Sequence, residues 1–192
     1  MNIKFWSKEE LHKVLEAARR ESIRNHAMIL FAYNFGLRAS ELAGLTIQNI
    51  QTGRLVCNTL KGSNSIDVLI ENDADPLLDC KKALQSWLRV REDSGSQFLF
   101  ISRLGSGMTR DAVADIFENA AAAAGIERGR RNPHIAKHTL LALAYRDGCD
   151  VFTLQQLGHH KDLKATSAYI HCSQDEARAK LRVTRTQAAA AA

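Results

Sequence analysis

The sequence predicts a mainly α-helical domain that carries one small antiparallel β-sheet, an α+β arrangement. Three observations predict it. Apolar residues recur at helical spacing over most of the chain, and cap residues punctuate the runs. One stretch, 47–70, instead holds short β-prone runs broken by turn residues. The composition is that of an ordinary globular chain, with 192 residues, 45% hydrophobic and 24% charged, enough for one well-buried domain.

The elements follow in order. "SKEELHKVLEAARR" opens a helix: Ser7 and Glu10 form a capping box, and Leu11, Val14, Leu15 and Ala18 share a face. "RNHAMILFAYNF" is a second helix, closed by Gly36. "SELAGL" begins a short third. From Ile47 to Ile70 the turn residues at Thr52-Gly53 and 62–64 predict a small antiparallel sheet with a hairpin near Lys61–Asn64. Helix returns at "ADPLLDCKKALQSWLRVRE", with Pro76 near its first turn. "QFLFIS" reads as a short strand. "TRDAVADIFENAAAAAG" is an Ala-rich helix between Thr109 as N-cap and Gly125 as C-cap.

The last third is helical. Asn132-Pro133 predicts an N-cap followed by Pro at the first helical position, for a helix that runs to about Arg146 and ends near Gly148. "DVFTLQQLG" and "LKATSAYIH" are two more helices. "SQDEARAKLRV" carries a second capping box, Ser173 with Glu176. The Ala run at 188–192 has nothing to pack against and reads as a frayed tail.

The net charge is +5, which suits an anionic partner without requiring one. "ERGRRNPH" and "KLRVTRTQ" are the locally cationic stretches. The four cysteines, Cys57, Cys80, Cys149 and Cys172, include no C-x-x-C pair, so they read as free thiols of a reducing, cytoplasmic protein rather than zinc ligands. No long apolar run predicts a membrane span.

Five of the seven histidines fall between 134 and 171. His134, Lys137 and His138 lie at i, i+3 and i+4, on one helix face. Ile135 stands where a zincin helix has glutamate, so metal is not the favoured reading. Phosphoryl chemistry is the alternative. A phosphodiester under attack gathers charge on its non-bridging oxygens, which calls for several pre-placed cationic donors. The leaving oxygen needs a proton from an acid, and a covalent route needs a nucleophile such as tyrosine.

Here the residues resemble a known family. "GLRASELAGL" at 36–45 is similar to the first arginine motif of tyrosine recombinases, the phage integrase family. "TLKG" resembles the hairpin of their catalytic lysine, "HIAKHT" their H-x-x-R-H-T box, and "LGHHKDLKATSAYIH" the segment that ends in their nucleophile. The motifs come in the family's order over nearly the whole chain. The resemblance implies the recombinase catalytic-domain fold over 1–187, with no N-terminal clamp domain. The chain is then either a trimmed form or a short single-domain recombinase such as the fimbrial-switch inverters.

The implied activity is site-specific cleavage and rejoining of double-stranded DNA, with self-association on DNA and no metal or small-molecule cofactor. Tyr169 would form a 3′-phosphotyrosyl bond. Arg38 would hold the phosphate, Lys61 would protonate the leaving oxygen, and His134 with a later histidine would bind the phosphate. Arg128, Arg130, Arg131, Lys161 and His171 are the candidates for DNA contact. The helix after the tyrosine would dock through Ala177, Leu181 and Val183 on a neighbouring copy or on its own domain. Such a protein would be cytoplasmic and nucleoid-associated when bound to DNA.

Two departures stand out. Lys137 takes the place of the family's second arginine, keeping the charge but losing the planar fork. Loss of one such donor costs roughly 10²–10³-fold in rate. A catalytically impaired DNA-binding or regulatory protein on the same fold is therefore the alternative function. A helical regulator unrelated to recombinases is a third reading; it predicts no cationic pocket around Tyr169. The second departure is register. The letters "LGH" nominate His159, but the family histidine lies twelve residues after the glycine matching Gly148 and nine before the tyrosine, and both counts give His160. An ungapped alignment puts His159 at a glycine position, so His160 is favoured, with His159 behind it.

Overall fold

The computed structural model describes residues 3–58, 65–91 and 95–170. In chain order the elements are α1 (Lys8–Glu21), α2 (Ile23–Asn34), α3 (Ala39–Gly44), β1 (Arg54–Cys57), β2 (Ile66–Leu69), α4 (Cys80–Val90), α5 (Arg110–Ala123), α6 (His134–Arg146), α7 (Val151–Leu157) and α8 (Leu163–Ser167). The fold is mainly helical with a two-stranded antiparallel sheet, as the sequence predicts. No helix among the described residues is long and apolar enough to cross a membrane.

The capping box of α1 is present: Ser7 N–H donates to Glu10 at 2.8 Å and the Glu10 N–H donates to Ser7 Oγ at 3.1 Å. Its predicted apolar face is buried. Ser22 alone separates α1 from α2 and serves both, its N–H closing α1 on Ala18 and its hydroxyl capping α2. α2 is buried all round from Asn25 to Ala32, because α1, α4 and α6 all pack on it. The Phe31 ring meets those of Phe35 and Phe100 edge-on. β1 pairs with β2 from Arg54↔Leu69 to Cys57↔Ile66, turning Leu55 and Ile66 into the core. The hairpin expected near Lys61–Asn64 and the capping box expected at Ser173 lie outside the described residues, as does the Ala-rich tail.

Four boundaries differ from expectation. α4 begins at Cys80, not beside Pro76, because the Asp79 carboxylate accepts the Lys82 N–H at 2.8 Å and caps the helix there. Pro76 sits in a preceding turn that Asp75 organises by accepting the Leu77 N–H. "QFLFIS" is no regular strand: it makes two isolated bridges, Thr46↔Phe98 and Ile101↔Gly107. α6 starts one residue late, at His134, with Asn132 accepting the His134 N–H at 3.1 Å. Finally, α8 stops at Ser167, so Tyr169 follows the helix rather than riding on it.

A strap at the amino end fixes α6 from outside. Trp6 is fully buried. Its backbone N–H donates to Thr139 Oγ1 at 2.9 Å, and its indole N–H donates to the Arg130 carbonyl at 2.9 Å. Thr139 in turn donates to Ile135 within α6 at 2.7 Å. The Arg146 guanidinium lies 4.7 Å over the Phe5 ring.

Candidate active site

Three separate parts of the chain supply the site. The first is the end of α2. Gly36 stands at φ +55°, in the left-handed region that favours glycine, and turns the chain toward Arg38. A Cβ there would lie 2.9 Å from the Leu157 carbonyl, so the glycine also lets α7 approach. Arg38 precedes α3 and is tied to Glu41: its backbone N–H donates to one carboxylate oxygen at 2.7 Å and its guanidinium to the other at 3.0 Å. The Glu41 side chain is only 6% exposed.

The second part is one face of α6, which carries His134, Lys137 and His138. Lys137 is buried, at 6% exposure, with the Arg38 guanidinium and the Glu41 carboxylate as the charges acting on it. Burial, with the Arg38 charge second, pushes its ammonium down to about 8 from 10.5. That difference means charging Lys137 in the folded protein costs about 3 kcal/mol at neutral pH. A bound anion would offset that cost. His134, in the first turn, is shifted below the ordinary imidazole value by partial burial and then by Arg38, Lys137 and Arg110. His138 is lowered by burial, then by His134 and Lys137.

The third part runs from α7 to Tyr169. α7 ends in a Schellman motif: the His160 N–H donates to the Gln155 carbonyl and the His159 N–H to that of Gln156, each at 3.0 Å. His159 occupies the left-handed position of this motif, at φ +51°, the only described non-glycine residue with positive φ. Glycine normally stands there. The side chain of His159 is buried and its Nε2 donates to the Phe35 carbonyl at 2.9 Å, locking α7 to the end of α2. His160, one residue on, is half-buried; its ring stacks on that of Tyr169, with centroids 6.5 Å apart and an interplanar angle of 23°. Its Nδ1 is bonded to the Thr166 hydroxyl at 2.9 Å. Burial, then Lys137 and Arg38, push it down to about 4, so it is neutral near pH 7.

Tyr169 is itself buried, at 7% exposure, in a small cluster with Leu141 and Leu154, against which Ile3, Cys149 and Leu157 pack. Burial pushes its phenol up to about 12. The phenol oxygen is hydrogen-bonded to His138 Nδ1.

The arrangement is one connected cluster of side chains. Arg38 acts electrostatically on His134, Lys137, His159 and His160, so the guanidinium stands beside the imidazoles of the last third. Arg38 and Tyr169 are thus not on opposite faces, as an unrelated helical regulator would have them, because His160 adjoins both. The phenol itself meets the imidazoles of His138 and His160, and these adjoin Lys137 and, through His160, Arg38, a combination suited to an anionic phosphate.

The predicted residues divide unevenly around it. Arg38, His134, Lys137, His159, His160 and Tyr169 come together. Lys61 and His171 lie outside the described residues. Arg128 and Lys161 are exposed. Arg130 and Arg131, expected to face DNA, are engaged internally instead. Arg130 is 20% exposed and holds both Glu10 carboxylate oxygens at 2.7 Å, the Phe5 carbonyl and Glu127. Arg131 bonds the Ile126 carbonyl and Glu118. Both guanidiniums have carboxylate partners, so a DNA phosphate would have to displace them. Sequence reasoning missed His138 as a partner of the tyrosine, although the i+4 spacing from His134 marked its face. It also missed Arg110, at the start of α5, whose charge reaches His134.

Comparison with known proteins agrees with this picture. The profile described as "Phage integrase family" matches residues 4–176. Tyrosine recombinase XerD of Brucella abortus (strain 2308) is 30% identical over 169 residues, which cover 84% of this chain and 53% of that protein. Tyrosine recombinase XerC of Erythrobacter litoralis (strain HTCC2594) is 30% identical over 173 residues, covering 86% of this chain and 54% of that protein. The chain thus spans about half the length of these curated relatives. Among solved structures, XerA recombinase superposes with a TM-score of 0.77 at 24% identity, covering 96% of this chain and 66% of that one. XerH site-specific recombinase bound to difH substrate superposes at 0.75 with 22% identity, over 94% of this chain and 55% of that one. At such identities the superpositions speak for the fold.

Proposed function

The chain belongs to the phage integrase family, and from that premise we propose that it is the DNA-cleaving and rejoining domain of a site-specific tyrosine recombinase. The observation that carries the proposal is the buried phenol of Tyr169 beside the imidazoles of His138 and His160, which Lys137 and Arg38 adjoin.

The chemistry follows from the groups present. The scissile phosphate of a DNA duplex enters the pocket beside Arg38 and the first turn of α6, where the helix N-terminus also favours an anion. Arg38 and Lys137 neutralise its non-bridging oxygens, and His134 and the neutral His160 donate hydrogen bonds. Tyr169 attacks phosphorus, its oxygen forms the new P–O bond, and the 5′-oxygen leaves with a proton. Lys61 is the candidate donor of that proton. The phosphotyrosyl bond conserves the energy of the phosphodiester, so a second 5′-hydroxyl reverses the step without metal or nucleotide. Between the two late histidines the proposal assigns the phosphate to His160, because the His159 ring is committed to Phe35. DNA partners and copies of the chain assembled on DNA belong to the same proposal, with Arg128 and Lys161 as backbone contacts.

A second reading keeps the fold and loses the catalysis, and Lys137 favours it. A buried ammonium with no fork and a depressed pKa is a poorer phosphate ligand than arginine. A duplex selected from a random pool by binding, then nicked beside its cleavage site, separates the readings. The recombinase reading expects a covalent protein–DNA adduct that Tyr169→Phe abolishes. An adduct seen only after Lys137→Arg identifies a domain silenced by that one residue. No adduct from either protein on a duplex that both bind would overturn the phosphotyrosyl assignment.

A further inference from the structure

We propose that His138 is the base that takes the phenol proton from Tyr169 as the phosphate is attacked. The inference rests on the phosphotyrosyl reading above and adds a catalytic residue to it.

The geometry is direct. His138 Nδ1 is the hydrogen-bond partner of the Tyr169 oxygen, and the two ring centroids are 5.8 Å apart. The contact joins residues 31 apart in sequence, across the boundary between the α6 face and the tyrosine segment. Tyr169 lacks any other described partner for its hydroxyl that would take a proton. With its phenol pushed up to about 12 by burial, it does not ionise unaided near neutral pH.

His138 is suited to the task before phosphate arrives. It is half-buried, and burial, His134 and Lys137 all disfavour its charged form, so it rests as a neutral imidazole. Nδ1 then accepts and Nε2 carries the hydrogen. The groups that act on it are His134 and Lys137 of its own helix and Tyr169 opposite; Arg38 of α3 and His160 act on Lys137 and Tyr169 rather than on His138 itself. An arriving phosphate reverses the balance, since its negative charge favours an imidazolium beside it. The step balances as follows. The Tyr169 O–H proton passes to His138 Nδ1, the oxygen–phosphorus bond forms, the phosphorus–O5′ bond breaks, and O5′ takes a proton from a separate acid. In the return step His138 gives its proton back to the departing phenol.

Two variants and one modified substrate test this. His138→Asn places an amide oxygen near the Nδ1 position and cannot take the proton; His138→Ala removes the ring. Adduct formation on the nicked duplex is compared with duplex binding and thermal melting of the same samples. The expected result is a fall of about 10²–10⁴-fold in adduct formation with binding retained, partial rescue of His138→Ala by added imidazole, and loss of the acidic limb of the pH–rate profile. A duplex with sulfur in place of the scissile 5′-oxygen has a leaving group that needs no proton. It should leave the His138 variants as slow as before while relieving loss of the leaving-group acid.

Three results overturn the proposal. Variants that cleave within about threefold of the unaltered protein show that the contact is idle. Faster cleavage shows that it parks the tyrosine. Rescue by the sulfur substrate makes His138 the acid. If the unaltered protein forms no adduct, the function reading fails first, and the pattern is different from all three.

Discussion

Among the described residues, two apolar clusters differ greatly in size. The large one runs from Trp6 to Leu143 and draws on α1 to α6 and the sheet. The small one has three buried members, Leu141, Leu154 and Tyr169. The cations stand on the large side: Arg38 beside α3, His134 and Lys137 on α6. The nucleophile stands on the small side, carried by helices of seven and five residues. Short helices do not hold themselves together, so their order depends on a few contacts such as His159 with Phe35. The side proposed to bind phosphate thus rests on the larger core, while the side that carries Tyr169 is expected to open more easily. If the proposed cycle of attack and reversal holds, it gains from that asymmetry.

The widest expected gap comes from truncating one side chain in each cluster. Phe117→Ala, in the large cluster, should lower global stability by about 3–5 kcal/mol, seen as a shifted denaturant midpoint. Leu154→Ala should barely move that midpoint, yet raise amide exchange from α7 to Tyr169 and slow adduct formation. Equal global losses from both would erase the distinction.

The next effect sits on the border. Lys137→Met removes an ammonium whose charged form burial disfavours. Its folded pKa, about 8, is below the unfolded value near 10.5. The charging cost is therefore fully present below pH 8 and disappears as pH rises from 8 through 10.5. Lys137→Met should stabilise the domain by roughly 1–3 kcal/mol at pH 7 and by little at pH 11. The same change should slow adduct formation by about 10²–10³-fold. Cleavage by the unaltered protein should decline above about pH 8 as Lys137 loses its charge, and Lys137→Arg should abolish that decline. A variant destabilised at pH 7 would mean that Lys137 has a partner in the fold.

The smallest effect separates the adjacent histidines. His159→Gly relieves a left-handed backbone, worth about 1–2 kcal/mol, and gives up a hydrogen bond worth about 0.5–1.5 kcal/mol. Its melting point should hardly change, and cleavage should persist. His160→Ala should leave stability alone and slow adduct formation by about 10²-fold. The reverse pattern would assign the phosphate to His159.

What the sequence revealed depended on the distance over which each feature is decided. The Ser7 and Thr109 caps were legible because both partners lie within one turn. The resemblance carried the site because whole motifs come in order. The internal pairing of Arg130 and Arg131 was hidden for the opposite reason. A cationic run says nothing of Glu10, 120 residues away from Arg130, which takes up its charge. "QFLFIS" has the composition of a strand, but its neighbour at Leu45–Ile47 offers only a bridge's worth of pairing. His138 was visible as a face-mate of His134; its contact with Tyr169 exists only once α7 and α8 have folded back over α6.

The Trp6 strap has a practical consequence. Its two hydrogen bonds end on Thr139 and Arg130, which flank the stretch bearing the lysine and both α6 histidines, and Ile3 leans on the tyrosine's own cluster. Anything joined ahead of Ile3, whether a purification handle or another folded unit, has a mechanical linkage to both halves of the reaction centre. Tension there would reach the α6 face and the tyrosine's cluster together, which would make the amino end a lever on the cleavage proposed above.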